Sequence, residues 1–487
     1  MYARSMSGHV FYYDLTKNLF VIYCLRLCKN IYKKDIFVME KRNTFSGKIG
    51  FVLAAAGSAV GLGNLWRFPY LAAKYGGGIF LLVYLVLAIT FGFVLMITEI
   101  AIGRKTQLSP LAAFGALSSK WNWLGKLATF VPVLIYPYYC LIGGWVTKYT
   151  YSVIADTQAT ASDSYFGSYV SSNAEPVVWF FVFLLITTLV VIFGVNKGIE
   201  KLSRILMPLL LIITLALSVY IVTRPGSKAG IRYYLMPDFG NLSFKTVLAA
   251  LGQLFYSMSL AMGIMITYGS YLSKEEHIEK STRQIEVFDT AIAFLAGLMI
   301  IPAVFEFSGG DKDALSSGPS LMFVTLPKVF NAMPAGRIIG ALFFFLVLFA
   351  ALTSSVSILE AIVAGIIDAF KLKRSAAALL VSVYGLVLGV VCSLGFGVWS
   401  NFTIIGMSIL DFMDFISNSV FLPLVGMLTC VLVGFVIKPD AIISEVELNG
   451  PFKMKHFYIA MVKWIAPVLI FAILVSGILQ SLGILKI

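Results

Sequence analysis

Apolar stretches of roughly 20 residues, the length of helix that crosses about 30 Å of hydrocarbon, recur along this chain with short polar connections between them. Eleven spans are predicted, near 46–70, 78–102, 124–151, 177–194, 200–223, 244–271, 286–308, 336–369, 376–396, 399–436 and 457–484. Two of them are interrupted. In span one, Gly57-Ser-Ala-Val-Gly61-Leu-Gly63 is followed by Asn64-Leu-Trp-Arg67-Phe-Pro69. Each glycine gives up about 1 kcal/mol of helix stability relative to alanine, so the backbone can leave the helix here. Unwound backbone at membrane depth is tolerated only inside protein or along a polar cavity, where its carbonyls become ligands for a cation or a polar substrate. Close helix packing of the GxxxG kind is the alternative.

Span six is interrupted in the same manner by Gly252-Gln-Leu-Phe-Tyr256-Ser257-Met-Ser259-Leu-Ala-Met262-Gly263. Spans one to five (40–223) and six to ten (244–436) therefore read as two five-helix repeats, each opening with a discontinuous helix, with 457–484 as an eleventh helix. Five spans per half put the halves in opposite orientations. Interrupted segments at corresponding positions point to a secondary transporter's binding site near the bilayer midplane. A third polar cluster, Ala350-Ala-Leu-Thr353-Ser354-Ser355, lies in span eight. Hydroxyls in membrane helices usually bond back to a carbonyl one turn earlier. Three in a row, with no carboxylate, also make a set of hard oxygen ligands suited to Na⁺ more than to a divalent ion.

Composition agrees with the pattern: 59% of the 487 residues are hydrophobic and 13% charged, against about a quarter charged in soluble domains. The fold class is an all-α integral membrane protein. The net charge of +13 reflects topology, not nucleic acid, because the cations cluster in alternate loops: Arg104 and Lys105; Lys197, Lys201 and Arg204; Lys274, Lys280 and Arg283; Lys371, Lys373 and Arg374. The positive-inside rule makes that side cytoplasmic. The connection 152–176 carries Asp156, Asp163 and Glu175 with no Lys or Arg, as an external loop would. The N-terminus is then inside and the C-terminus outside an inner (cytoplasmic) cell membrane. Cys24, Cys28, Cys140, Cys392 and Cys430 include no convincing disulfide pair, and no histidine lies within a span to support a zinc site. Residues 1–38 read differently: the apolar patch Leu19 to Leu27 holds Arg26, is too short to cross and lacks a cleavage pattern. Met39-Glu-Lys-Arg-Asn is the more natural start, so 1–38 are expected to lie outside the native protein.

The pattern AGSAVGLGNLWRFPYLAAKYGGGIFLLVY, from Ala56 to Tyr84, with GQLFYSMSLAMG and LTSS at their separations, resembles the neurotransmitter:sodium symporter family, in its bacterial amino-acid-transporting branch, over 40–484. The family is known for inverted repeats with discontinuous helices. The resemblance implies Na⁺-coupled symport of an amino acid by alternating access, with Na⁺ (two ions) and no organic cofactor. Its first sodium site would use the Ala59 carbonyl, Asn64, Ser257, Asp289 and the substrate carboxylate. The second would use the carbonyls of Gly57, Val60 and Ala350 with the hydroxyls of Thr353 and Ser354. Substrate would lie among Ala59, Gly61, Gly63, Ile135, Tyr139, Tyr256, Ser259, Met262, Ser354 and Ile358. The Tyr139 hydroxyl would meet the carboxylate. Monoamine carriers of this family place an Asp at the position of Gly61, so its absence points to an α-amino acid, and Met262 and Ile358 favour a hydrophobic or aromatic one.

The same resemblance assigns an outer gate to Arg67 and Asp414, with Tyr139 and Tyr256, and an inner gate to Arg42, Tyr271 and Asp368. Gly198 and Pro208 in span five would let its inner end unwind. At the first sodium site relatives place an uncharged asparagine where Asp289 stands, and Ala293, one turn on, offers neither the carboxylate of chloride-independent relatives nor the serine of chloride-dependent ones. Tyr84, Gln253 and Ser257 match the rest of the chloride site. A fixed carboxylate there repels an anion, so transport is expected to be chloride-independent, and a protonatable group at 289 allows proton counter-movement. The expected partners are the amino acid and membrane lipid, with no nucleic acid and no obligate protein partner. An amino-acid receptor, a channel, and a carrier of osmolytes are the alternatives. No nucleophile with an adjacent base supports an enzyme.

Overall fold

Chain breaks, not merely apolar length, organise the helices around the centre of the molecule. The structure, a computed structural model, describes residues 44–309 and 319–481. The extension 1–38 and Arg42 of the expected inner gate lie outside the described residues, as does the end of span eleven beyond 481.

Span one is a bent pair, Lys48–Ala59 and Gly63–Lys74, whose axes differ by 53°. Val60 leaves the helix in an extended conformation, and Asn64 caps the break by accepting from the Gly61 amide at 3.0 Å. Span six is broken harder, into Phe244–Ser257 and Ile264–Gly269. Between them Ser259 (φ 52°), Ala261 (φ 59°) and Gly263 (φ 72°) turn through the left-handed region. Gly263 suits this conformation, and it also packs where a side chain would meet the Pro110 ring. The two non-glycine residues there need outside support.

The other spans are continuous: Gly78–Thr106 (two), Ser119–Ala155 (three), Glu175–Ile192 (four), Val195–Val222 (five), Ile278–Ser308 (seven), Gly336–Phe370 (eight), Arg374–Leu394 (nine), Ile409–Val436 (ten) and Lys455–Ser481 (eleven). Among the described residues these nine helices are long and apolar enough to cross a membrane, and the bent pair makes a tenth. The one remaining predicted span is span six, whose two pieces are too short to qualify alone.

Two helix starts differ most from the sequence reading. Span ten begins ten positions later than predicted, because Ile405 (φ 53°) and Gly406 (φ 76°) form a turn and Ser408 caps the helix by accepting from the Asp411 amide at 3.1 Å. Span seven begins earlier, at Ile278, since Ile278, Ser281, Thr282 and Ile285 are buried and continue its inward face. The apolar helical segment Leu321–Ala332 was not predicted. It anchors through Phe323, which is fully buried and meets the rings of Trp145, Tyr149 and Trp66. Span three packs along spans eight, four and nine, and span seven along span five and the first half of span one. Span seven against span one, and span two against both pieces of span six, hold the two broken helices against continuous ones.

Candidate functional site

All ten residues expected to contact substrate line one cavity, together with Ser58, Leu62, Asn64, Ser257 and Ile264. The two breaks meet here: the Ser259 hydroxyl, from span six, donates to the Ser58 carbonyl of span one at 3.0 Å. Gly61 borders the cavity with no room for a side chain, since a Cβ would stand 2.8 Å from the Ser354 hydroxyl and 3.2 Å from that of Tyr139. Tyr139 is buried and its hydroxyl has no hydrogen-bond partner among the described residues. An unsatisfied buried hydroxyl is costly, and a polar ligand group in the cavity would complete it. The Tyr256 ring packs over Gly63, where a Cβ would come within 2.6 Å of it. Ile135, Met262, Ile264 and Ile358 supply apolar wall.

At one edge lies a buried cluster around Asp289, which is inaccessible to solvent. Its carboxylate accepts from the Asn64 amide at 2.8 Å and from the Ser257 hydroxyl at 3.2 and 3.3 Å. Tyr84 is 3.5 Å away and bonds Ser257 at 3.3 Å. Gln253 donates to the Gly63 carbonyl at 2.9 Å while its own carbonyl oxygen has no partner. Asn64 and Ser257, two expected first-site ligands, thus both meet the third, Asp289, and Ala59 lines the adjoining cavity; of the donors expected around a chloride ion, Tyr84 and Ser257 face the carboxylate, whereas the Gln253 amide is taken by the Gly63 carbonyl. Ala293 is buried.

The second cluster separates the three consecutive hydroxyls. Thr353 bonds back to the carbonyls of Phe349 and Ala350 at 3.0 and 3.1 Å. Ser355 bonds back to Leu352 and pairs with Thr187 of span four at 2.9 Å. Ser354 alone crosses to span one, donating toward the carbonyls of Gly57, Ser58 and Val60 at 3.4, 3.1 and 3.2 Å. Carbonyls freed by the break converge on one hydroxyl, and such an arrangement can exchange a proton's hydrogen bonds for contacts to a cation.

The gates are only partly as expected. Arg67 lies over the Tyr256 ring, 5.3 Å from its centroid, and no ion pair joins it to Asp414, whose carboxylate accepts from Asn418 at 2.6 Å. On the other side Asp368 accepts from the Ser109 amide at 2.7 Å, and Tyr271 donates to Glu360 at 2.6 Å. Glu360 is itself held by the Arg374 guanidinium at 2.6 and 2.7 Å. In span five, Gly198 sits in the π-helical turn Val195–Glu200, and Pro208 lies within the continuous helix Lys201–Val222. The N-terminal end of this helix, expected to be the inner one, is therefore wound. Gly198 has a tight packing role, because a Cβ there would fall 2.0 Å from the Val190 carbonyl.

The sequence reading missed Glu99, Glu360 and Arg374. Glu99 is buried in span two and accepts from the Ala261 amide at 2.6 Å, bracing the left-handed turn of span six. Its signal was present, since a carboxylate inside a membrane span marks a functional position by default. Glu360 carries the same signal within span eight.

Two broken membrane helices held around a central cavity, with freed carbonyls and a buried carboxylate at its edge, define a secondary transporter. The chain matches the sodium:neurotransmitter symporter family over residues 42–165 and 164–484, and it belongs to that family. It is 34% identical over 459 residues to an uncharacterized sodium-dependent transporter of Bacillus subtilis, covering 92% of this chain and 99% of that protein. It is 32% identical over 458 residues to an uncharacterized sodium-dependent transporter of Haemophilus influenzae, covering 90% and 99%. The crystal structure of MhsT in complex with L-phenylalanine superposes with a TM-score of 0.81 at 37% identity, covering 90% of this chain and all of that one. The protein is accordingly a multi-pass, sodium-dependent symporter and not an enzyme.

Proposed function

We propose that this protein carries a hydrophobic or aromatic α-amino acid into the cell with Na⁺, by alternating access and without chloride. The observation that carries the reading is the cavity itself. A tyrosine hydroxyl without a partner among the described residues, and backbone from both breaks, stand beside a wall of Ile135, Met262, Ile264 and Ile358. The absence of space for an acid at 61 favours a substrate that brings its own carboxylate. MhsT, similar over most of the chain, binds L-phenylalanine, which supports the same class.

In this reading two Na⁺ are cargo. One is held by Asn64, Ser257, Asp289, the Ala59 carbonyl and the substrate carboxylate, so ion and substrate each tighten the other's binding. The other is held by Gly57, Val60 and Ala350 carbonyls with Thr353 and Ser354, joining span one to span eight. Asp289 supplies the charge that an anion would otherwise bring. Arg67 and Asp414 close the outer path. Tyr271 and Asp368, with Arg42, close the inner one, and span five unwinds near Gly198 and Pro208 to wet the second ion. The basic loops place the N-terminus in the cytoplasm and the C-terminus outside the cell membrane.

The test is uptake into reconstituted vesicles. An inward Na⁺ gradient should accumulate phenylalanine, leucine or tryptophan, equally in chloride and gluconate. Saturable binding without accumulation would overturn symport, and accumulation only in chloride would overturn the role of Asp289.

A further inference from the structure

Asp414 has taken a different partner from the one its gate role requires. Asn418, one turn further along span ten, directs its amide to Asp414 Oδ1 at 2.6 Å and to the Tyr138 hydroxyl at 3.1 Å. Tyr138, almost wholly buried in span three, also bonds Ser417 at 3.1 Å, and Ser417 is fixed to the Met413 carbonyl at 2.7 Å. Asp414 is therefore tied through a neutral amide to the scaffold beside Tyr139, while Arg67 rests on Tyr256 across the cavity mouth.

We propose that Asn418 is a positioning residue of the outer gate: it satisfies the Asp414 carboxylate and aims it at span three, holding the gate open until Arg67 displaces it. This inference rests on the reading of Arg67 and Asp414 as that gate. A half-buried carboxylate deprived of its donor is costly until it finds another. The cation whose charge acts on Asp414 is Arg67, so removing the amide favours closure. Tyr138, which anchors the amide, acts in the same direction more weakly.

The test reads gate position without reference to substrate. In a chain whose five cysteines are replaced by alanine, Ile135→Cys places a thiol in the cavity. Its modification rate by a quaternary-ammonium methanethiosulfonate in Na⁺ reports access from outside. Asn418→Leu should slow modification about tenfold or more, the scale of a lost hydrogen bond to a charged group, and Tyr138→Phe should slow it less. Adding Asp414→Asn should abolish the slowing, which a merely structural role of Asn418 would not predict. An unchanged or faster rate in both single variants, or a slowing that persists with Asp414→Asn, overturns the proposal. Adding Arg67→Gln separates the two readings: if Asp414→Asn restores the rate and Arg67→Gln does not, Asn418 keeps its role but the Arg67–Asp414 gate falls.

Discussion

The Asn64 amide donates to the Asp289 carboxylate at 2.8 Å, joining side chains 225 positions apart that are both sealed from solvent. The contact holds the second half of broken span one, Gly63–Lys74, against span seven. It also sets a negative charge beside the cavity, where an isolated carboxylate would be too costly without donors or a cation.

Asp289→Asn keeps the volume and removes the charge. The Na⁺ concentration for half-maximal uptake should rise by about tenfold or more, the scale expected when a charge-assisted contact is lost. Chloride should then stimulate uptake that in the parent is indifferent to it. Vesicle uptake in chloride and gluconate measures both, and undiminished Na⁺ affinity in the variant would remove Asp289 from the ion site.

Neighbouring hydroxyls should behave differently. Ser354→Ala deletes the one that reaches three span-one carbonyls, whereas Ser355→Ala touches only Leu352 and Thr187. A tenfold loss of Na⁺ affinity lowers ion-dependent stabilisation by about 1.4 kcal/mol at saturating Na⁺. Thermal unfolding in Na⁺ against K⁺ should show that loss for Ser354→Ala and none for Ser355→Ala.

Span five separates packing from unwinding. Gly198→Ala drives a methyl into the Val190 carbonyl and should destabilise the protein by about 1–3 kcal/mol, obscuring any gating effect. Pro208→Ala restores a helix donor and should keep the fold while slowing Na⁺ release to the inside. Unfolding midpoints and single-turnover Na⁺ efflux distinguish them; equal effects of the two substitutions on both measurements would refute the distinction.

Glu99→Ala leaves the buried Ala261 amide, held at φ 59°, without its acceptor. The expected cost is about 1–3 kcal/mol, with weaker substrate binding because the same turn carries Ser259 and Met262. Glu99→Gln retains an acceptor and should lose less. A thermal-shift comparison with and without the amino acid checks both effects.

Much of this was legible in the chain because local chemistry dictated it. Apolar length required the spans, glycines weakened span one where the break occurs, and three consecutive hydroxyls marked the part of span eight that meets it. The resemblance carried by Ala56 to Tyr84 named the ten cavity residues, and they do converge. Span boundaries were less legible, since the start of span ten depends on a turn at Ile405 and Gly406 inside an apolar run.

The sequence by itself determined which segments cross the membrane and where helices can break, for these follow from hydropathy and backbone propensity along a few neighbouring residues. Only the tertiary structure decided partners. Ser354 crosses to span one while Thr353 and Ser355 bond back to their own helix, and Asp414 bonds Asn418 in place of Arg67. It also decided that Gly198 is a packing contact and that Glu99 supports a turn 162 positions away. A hydrogen bond is made or lost over tenths of an ångström and a few tens of degrees. That geometry is set by the packing of distant helices, which no local window of residues contains.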